Sequence, residues 1–417
     1  MPTCAGGSGK MERPFQSVTV TDKGARFLRS GHPWVYAGEV LTPGDPCPDG
    51  EIADVFTQKG KWLGAGFYNS RSLLRVRLLT RNGNDKMDEG FFLRRLRYAL
   101  AYRRQVMGAD FDNCRLVFGE ADGFPGWTVD RFGDVLVSEV LSLGIERRRD
   151  MLYGLLRSVL GEMGVAVSVI YERNESALRE KEGLERGKGP YVAPGLAAEP
   201  SGHTEIRENG IYYDVDYING QKTGFFLDQK YNRSAAARLA PGQRVLDCCT
   251  HTGAFALNCA AAGAESVTAL DVSEDALEQA RRNAARNGLL EKIQFVRADM
   301  FEYLTQLAAS RQKPFDYIIL DPPAFTKSSA TVESARRGYR EINRRAMQLL
   351  PKGGYLATCS CSHFMTAPLF REMLADAAGD ASVSLRQIEE RRQSPDHPIL
   401  WGVPETEYLK FFLFQVV

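Results

Sequence analysis

The 417-residue sequence predicts an α/β protein whose C-terminal domain is built on a mostly parallel sheet, preceded by a small β domain and a mixed α+β segment. Three observations carry this. From about Thr204 onward, apolar strand-like runs alternate with helical stretches, the pattern of a parallel sheet covered on both faces. Between Pro14 and Arg81, short β-branched and aromatic runs are separated by Gly, Pro and Asp turns, as in a compact β domain. Between these two regions, the apolar spacing switches from helical to hairpin-like and back. The boundaries read from these shifts are 1–12 (small, polar, expected disordered), 13–86 (β domain), 87–200 (α+β linking domain) and 201–417 (α/β domain).

The first region carries FQSVTV, EIADVF, WLGAGFY and LLRVRLL as strands. From Phe91 a helix places Phe92, Leu96, Leu100 and Val106 on one face. Its other faces bear Arg94, Arg95, Arg97, Arg103 and Arg104, which read either as a solvated surface or as contacts to nucleic-acid phosphates, with Arg94 and Arg97 the candidates. Hairpins follow, with turns at Asp122-Gly123 and Phe132-Gly133-Asp134. Next come a helix near Arg147–Met163, the strand VAVSVIYE, and a charged helix and connection over Glu172–Pro190.

Composition excludes several classes. Net charge is +1, so any affinity for nucleic acid must come from local charge. No run of 18 apolar residues suggests a membrane span, and no secretory signal precedes the first domain. The eight cysteines contain no CxxC pair, which argues against zinc and for no metal. They also lack the setting of a disulfide framework, so a reduced cytoplasmic protein is expected.

In the last domain the strands are RVLDC, SVTALDV, IQFVRAD, FDYIILD, GGYLATCS and YLKFFLFQVV. The first runs into a turn, Cys248 to Phe255, where Gly253 lets a ligand approach the backbone before a helix starts. Asp271 follows where such a fold places a ribose-hydroxyl acceptor, and Asp299 closes the third strand as a candidate acceptor for an adenine amine. Ser273 caps the next helix and Asn287-Gly288 ends it. The turn lacks the full G-x-G-x-x-G of dinucleotide enzymes, so a cofactor without phosphates fits better. Three aspartates, Asp247, Asp271 and Asp299, at successive strand ends favour a site over three unrelated caps.

The fourth strand ends in Asp321-Pro322-Pro323-Ala324-Phe325. The prolines delay any helix and hold Asp321 at the sheet edge, where its carboxyl group matches a nucleobase amine and ring nitrogen. Phe325 is the candidate stacking partner. The fifth strand brings Cys359 and Cys361 to the same crevice, as nucleophile or as small buried hydrophobes. The nucleophilic reading has a definite chemistry: pyrimidine C5 is too electron-poor to take a methyl group unaided, and thiolate addition at C6 makes it nucleophilic.

On these motifs the chain resembles the RlmI-type methyltransferases, which make 5-methylcytosine in 23S ribosomal RNA. The resemblance spans nearly the whole length. Lys23–Glu39 is similar to that family's PUA domain, a small RNA-binding barrel, and Asp122–Gly126 with Asp130-Arg131 to its linking domain. Asn219–Arg233 is similar to the segment that packs over the cofactor. The resemblance implies a Rossmann-like class I methyltransferase domain with an antiparallel last strand, and S-adenosylmethionine (SAM) as cofactor. It also implies a cofactor site of Lys222, Thr223, Phe225, Asp247, Thr252, Gly253, Ala254, Phe255, Asp271 and Asp299. Cys361, seven residues after Gly354, falls on the family nucleophile, with Asp321 as catalytic partner and Pro322, Pro323 and Phe325 toward the base. Cys359 then becomes a packing residue. Ala324-Phe325 stands where other pyrimidine C5 methyltransferases carry a second cysteine, so product release has to use one. His251 is given no catalytic role, and His363 is read as a packing residue before a tuner of the thiolate. The implied partner is ribosomal RNA or a ribosomal subunit, and a homodimer is left open. Two other functions share these features: methylation of a base nitrogen without a cysteine, and a ribosome-assembly factor steadied by SAM.

Overall fold

The computed structural model describes residues 13–310, 312–326 and 328–417, so the expectation for 1–12 lies outside the described residues. The chain forms two compact units. One takes in the described residues up to Gln105, Arg115–Pro200 and Leu400–Val403; the other takes in Val106–Cys114, Ser201–Ile399 and Pro404–Val417.

The first unit opens with β1 (Gln16–Val20), α1 (Asp22–Arg29), β2 (Trp34–Tyr36), β3 (Ile52–Thr57), β4 (Trp62–Tyr68) and β5 (Leu74–Thr80). These strands make a curled sheet of order β1-β3-β4-β5-β2, with β1 and β3 parallel. Val18, Val20, Leu28, Val35, Val55 and Val76 fill its core. Thr21 caps α1 by accepting from the Gly24 amide.

Helix α2 (Glu89–Met107) leads to β6 (Asn113–Phe118), β7 (Trp127–Phe132), β8 (Val135–Val140), the short α3 (Leu143–Glu146), α4 (Arg149–Glu162) and β9 (Val169–Asn174). The turn α5 (Leu178–Lys181) and β10 (Gly187–Pro190) complete a sheet of order β10-β9-β8-β7-β6. Phe92, Leu96 and Leu100 of α2 are buried as the spacing requires. The arginines correct the sequence reading. Arg103, expected on a polar face, is fully buried: it pairs with Asp122 and donates to the Arg115 carbonyl. Arg95 is spent on the carbonyls of Gly123 and Leu79. Asp122-Gly123 is correspondingly not a tight hairpin turn. It ends a 3-10 turn, and the Asp122 carboxylate also takes the Phe118 amide. The strand expected from Val165 starts at Val169, and the helix expected in the charged stretch after it is the single turn α5, followed by β10.

The second unit begins with a hairpin that the sequence reading missed, β11 (His203–Glu208) and β12 (Ile211–Asp216). Asn209 and Gly210, both at positive φ, make its two-residue turn. Then follow α6 (Lys230–Ala237), β13 (Arg244–Cys248), α7 (Ala254–Ala261), β14 (Ser266–Asp271), α8 (Glu274–Arg286), β15 (Ile293–Arg297), α9 (Met300–Ser310), β16 (Tyr317–Leu320), α10 (Val332–Leu349), β17 (Tyr355–Ser360), α11 (Ala367–Ala381), β18 (Leu385–Arg391) and β19 (Lys410–Val416). The sheet order is β15-β14-β13-β16-β17-β19-β18. Its first five strands are parallel, and β19 runs antiparallel between β17 and β18. Ser273 caps α8 by accepting from the Ala276 amide, and Asn287 with Gly288 at φ +66 ends it. Strand order reverses between β13 and β16, which opens a crevice at their carboxyl ends. Arg233 of α6 forms a buried two-point pair with Glu208 of β11, tying the hairpin to the segment over that crevice.

Candidate active site

The turn after β13 is built from alternating left-handed residues: Cys249, His251 and Gly253 have φ of 62°, 51° and 82°. Non-glycine residues pay for such a conformation, and strain of this kind concentrates at ligand sites. Gly253 is also required for reasons within the protein: its φ is left-handed, and a Cβ there would meet the Ala280 Cβ of α8 at 3.0 Å.

Asp247 lies fully buried beneath this turn. One carboxylate oxygen accepts from the Thr250 hydroxyl at 2.5 Å and the Ala256 amide at 3.0 Å. The other, Oδ1, is buried without a hydrogen-bond partner. Burial, helped by the nearby Asp321, raises its pKa to about 7. Asp271 ends β14 and accepts from the amides of His251 (2.9 Å) and Ser273 (3.0 Å). Asp299 is exposed two residues beyond β15 and caps α9 through the Glu302 amide, so it does not close the third strand as expected. An orphaned buried carboxylate oxygen and an acidic strand-end set without a phosphate-binding glycine loop fit SAM, which carries an ammonium, a sulfonium and ribose hydroxyls but no phosphate.

The other expected cofactor residues divide. Lys222 is exposed at φ 52°, its ammonium 4.9 Å from the Phe226 ring centre. Thr223 is buried. Phe225 is buried between Tyr213 and the Arg233 guanidinium, and Phe255 stacks on Phe411, so both rings pack the protein. Thr252 and Ala254 flank Gly253 at the start of α7, and the Thr252 carbonyl accepts from Asn283.

On the other side of the switch point, β16 and β17 are in register, Leu320 opposite Thr358. Asp321 and Cys361 leave the ends of these neighbouring strands. Asp321 accepts from the Gln229 amide at 3.1 Å, and burial raises its pKa to about 6. Gln229 is itself oriented by Asn232, which donates to its carbonyl oxygen at 2.7 Å. Cys361 is half-buried. Burial and the negative charge of Asp321 push its thiol to about 11, while Lys222 and Lys410 pull the other way. Cys359 is wholly buried and its thiol pushed far up, as befits a packing residue. Pro322 is buried and Pro323 exposed. The Phe325 ring, expected against a base, lies 4.4 Å centre to centre from Tyr339 and 5.9 Å from Phe301. Its neighbours are therefore the apolar core. Arg94 and Arg97 are exposed but paired with Asp85 and Glu162. His251 has its pKa lowered by burial, and His363 packs edge-on to Phe364.

Three residues at this corner escaped the sequence reading. Asp228, which takes a 2.6 Å hydrogen bond from the Tyr408 hydroxyl, and Gln229 sit inside the quoted 219–233 segment, where nothing in the spacing distinguishes them from their neighbours. Lys410 did leave a signal: it is a single charge at the head of the apolar run Lys410–Val416.

The fold and these strand ends define a SAM-dependent methyltransferase joined to a PUA-like domain. Residues 185–415 match the S-adenosylmethionine-dependent methyltransferase family, and residues 18–81 match the PUA-like domain family. A chain from Streptococcus mutans, assigned as a SAM-dependent methyltransferase, superposes with a TM-score of 0.80 at 21% identity, covering 96% of this chain and 100% of its own. A second, an assigned methyltransferase complexed with S-adenosylhomocysteine, gives 0.82 at 20% identity over 96% and 100%. At that identity they speak for the fold alone. Sequence relatives go further. Ribosomal RNA large subunit methyltransferase I of Klebsiella pneumoniae (strain 342) is 40% identical over 405 residues, 97% of this chain and 99% of its own. The Escherichia coli K12 protein of the same name is 40% identical over 394 residues, 94% and 97%. The chain belongs to the ribosomal RNA large subunit methyltransferase I family. No helix among the described residues is long and apolar enough to cross a membrane.

Proposed function

We propose that this chain methylates C5 of a cytosine in 23S ribosomal RNA through a covalent Cys361–C6 adduct. The observation that carries the reading is the convergence of a half-buried thiol and a raised-pKa carboxyl group on neighbouring strand ends beside the cofactor turn. SAM, when bound, supplies an electrophilic methyl group. Asp247 and Asp271 hold the cofactor end of the crevice, and Gln229 fixes the carboxyl group of Asp321. Asp321 takes a hydrogen bond from the cytosine exocyclic amine and, when protonated, donates to N3. That donation draws electron density from C6 as the Cys361 thiolate bonds to it. C5 then accepts the methyl group and loses its proton to solvent. Re-formation of the C5–C6 double bond expels the thiolate, so a single cysteine opens and closes the cycle. In this reading residues 13–86 and 87–200 serve RNA capture, residues 201–417 carry the chemistry, and the work is done in the cytoplasm.

The test is trapping. Transcripts of 23S RNA containing 5-fluorocytidine cannot lose the C5 substituent as a proton. With SAM they should therefore leave a denaturant-resistant protein–RNA complex with the wild type and none with Cys361→Ala. A Cys361→Ala protein that still transfers labelled methyl groups would point to direct attack by a base nitrogen. SAM binding with no methyl ever reaching RNA would point to an assembly factor.

A further inference from the structure

Lys410 opens β19 opposite Ser360 of β17, yet its side chain is almost wholly buried, at 2% exposure. Its ammonium donates to the Ser362 carbonyl at 2.5 Å and the Tyr408 carbonyl at 2.8 Å. Among the described residues it makes no salt bridge. Burying an ammonium is unfavourable unless an anion or a full set of acceptors compensates, and two neutral carbonyls are a partial answer. The residue just before Ser362 is Cys361. Strand register and hydrogen bonds therefore anchor the cation at the turn that presents the nucleophile.

We propose that Lys410 is the positioning cation of Cys361: a buried charge, held by the two carbonyls, that stabilises the thiolate before attack and again as leaving group. The inference rests on Cys361 being the nucleophile. The chemistry balances simply. Cys361 loses its proton to solvent, the thiolate pairs with the ammonium, formation of the S–C6 bond removes the sulfur's charge, and elimination restores it beside the same cation.

The groups around the pair give the direction of each effect. Asp321 from the end of β16 and Asp228 from the 219–229 segment raise the thiol's pKa, whereas Lys222 and Lys410 lower it. Tyr339 of α10 and Cys359 of β17 also face Cys361. Burial lowers the Lys410 pKa to about 8, against the opposing influence of Cys361 and Glu407, and Arg392 adds to the lowering. Lys222 is exposed and screened, which leaves Lys410 as the cation that solvent cannot weaken.

The experiment reads the thiol without RNA. Full-length protein is alkylated with iodoacetamide from pH 6 to 11, and modification at Cys361 is followed by peptide mass mapping, with retention of S-adenosylhomocysteine binding as the check on folding. Lys410→Met is expected to slow Cys361 alkylation roughly ten-fold at pH 7, where the ammonium is charged, with the two profiles drawing together above pH 8 as Lys410 loses its proton. Lys410→Arg, which keeps the charge, is expected to stay within about three-fold of wild type. A methionine variant that binds S-adenosylhomocysteine and superimposes on wild type overturns the proposal. If that variant does not fold, the arginine variant decides: a profile displaced upward by a unit with binding intact overturns it, and an unmoved one supports it. Loss of 5-fluorocytidine trapping is a separate readout of the nucleophile, so the two claims fail independently.

Discussion

Replacing Asp247 by Asn should make the stability of the ligand-free protein markedly less sensitive to pH. The carboxyl group is fully buried, has one unpartnered oxygen, and titrates near 7 in the fold against 3.8 when free. Its folded pKa is raised, so the folded state keeps a proton that the unfolded chain has already released. Stability is therefore greatest below about pH 4 and falls as pH climbs toward 7. Three pH units at about 1.4 kcal/mol each give about 4 kcal/mol across the whole window, and about 3 kcal/mol between pH 5 and pH 7.5. Asn can accept from Thr250 and Ala256 as Asp does, but its amide then takes the place of the orphaned oxygen, at a roughly constant cost of about 1–3 kcal/mol. The variant should be the less stable protein at pH 5 and lose that disadvantage by pH 7.5. Calorimetry of both proteins at the two pH values reads this as a change of about 8 °C in the difference between their melting temperatures, for a unit of this size. A difference that stays within 1 °C would refute the assignment of a buried, titrating carboxyl group at this position.

Other expectations follow from the same geometry. Gln229→Leu removes a donor that favours the Asp321 carboxylate, so the acid limb of the kcat/KM profile should move to higher pH by about half a unit or more; an unmoved limb would separate Asp321 from the chemistry. Gly253→Ala combines left-handed strain with a 3.0 Å contact to Ala280 and should cost about 2–3 kcal/mol in urea unfolding of the second unit, with weaker SAM affinity by calorimetry; a cost under about 0.5 kcal/mol would contradict the contact. Arg233→Leu strands the buried Glu208 and should destabilise that unit by about 3–5 kcal/mol, partly recovered in the double variant with Glu208→Leu.

What the sequence determined by itself is the class of fold and the order of its motifs. Strand–helix alternation after Thr204 is a local signal, because each apolar run needs only its own residues to be read. Asp247, Asp271, Asp321 and Cys361 could be placed at strand ends for the same reason. What only the tertiary structure decided is where side chains spend their hydrogen bonds. Arg103 reads as a surface cation until Asp122 is brought to it, and nothing along the chain shows that α8 packs against Gly253. Phe325 likewise acquires Tyr339 and Phe301 as ring neighbours only in the fold. Gln229 and Lys410 acquire their roles from neighbours 92 residues away at Asp321 and 48 residues away at Ser362. Periodicity is written along the chain, whereas burial, charge pairing and pKa arise between segments that meet only when the sheet closes its register. For that reason the strand ends were legible and the side chains gathered around them were not.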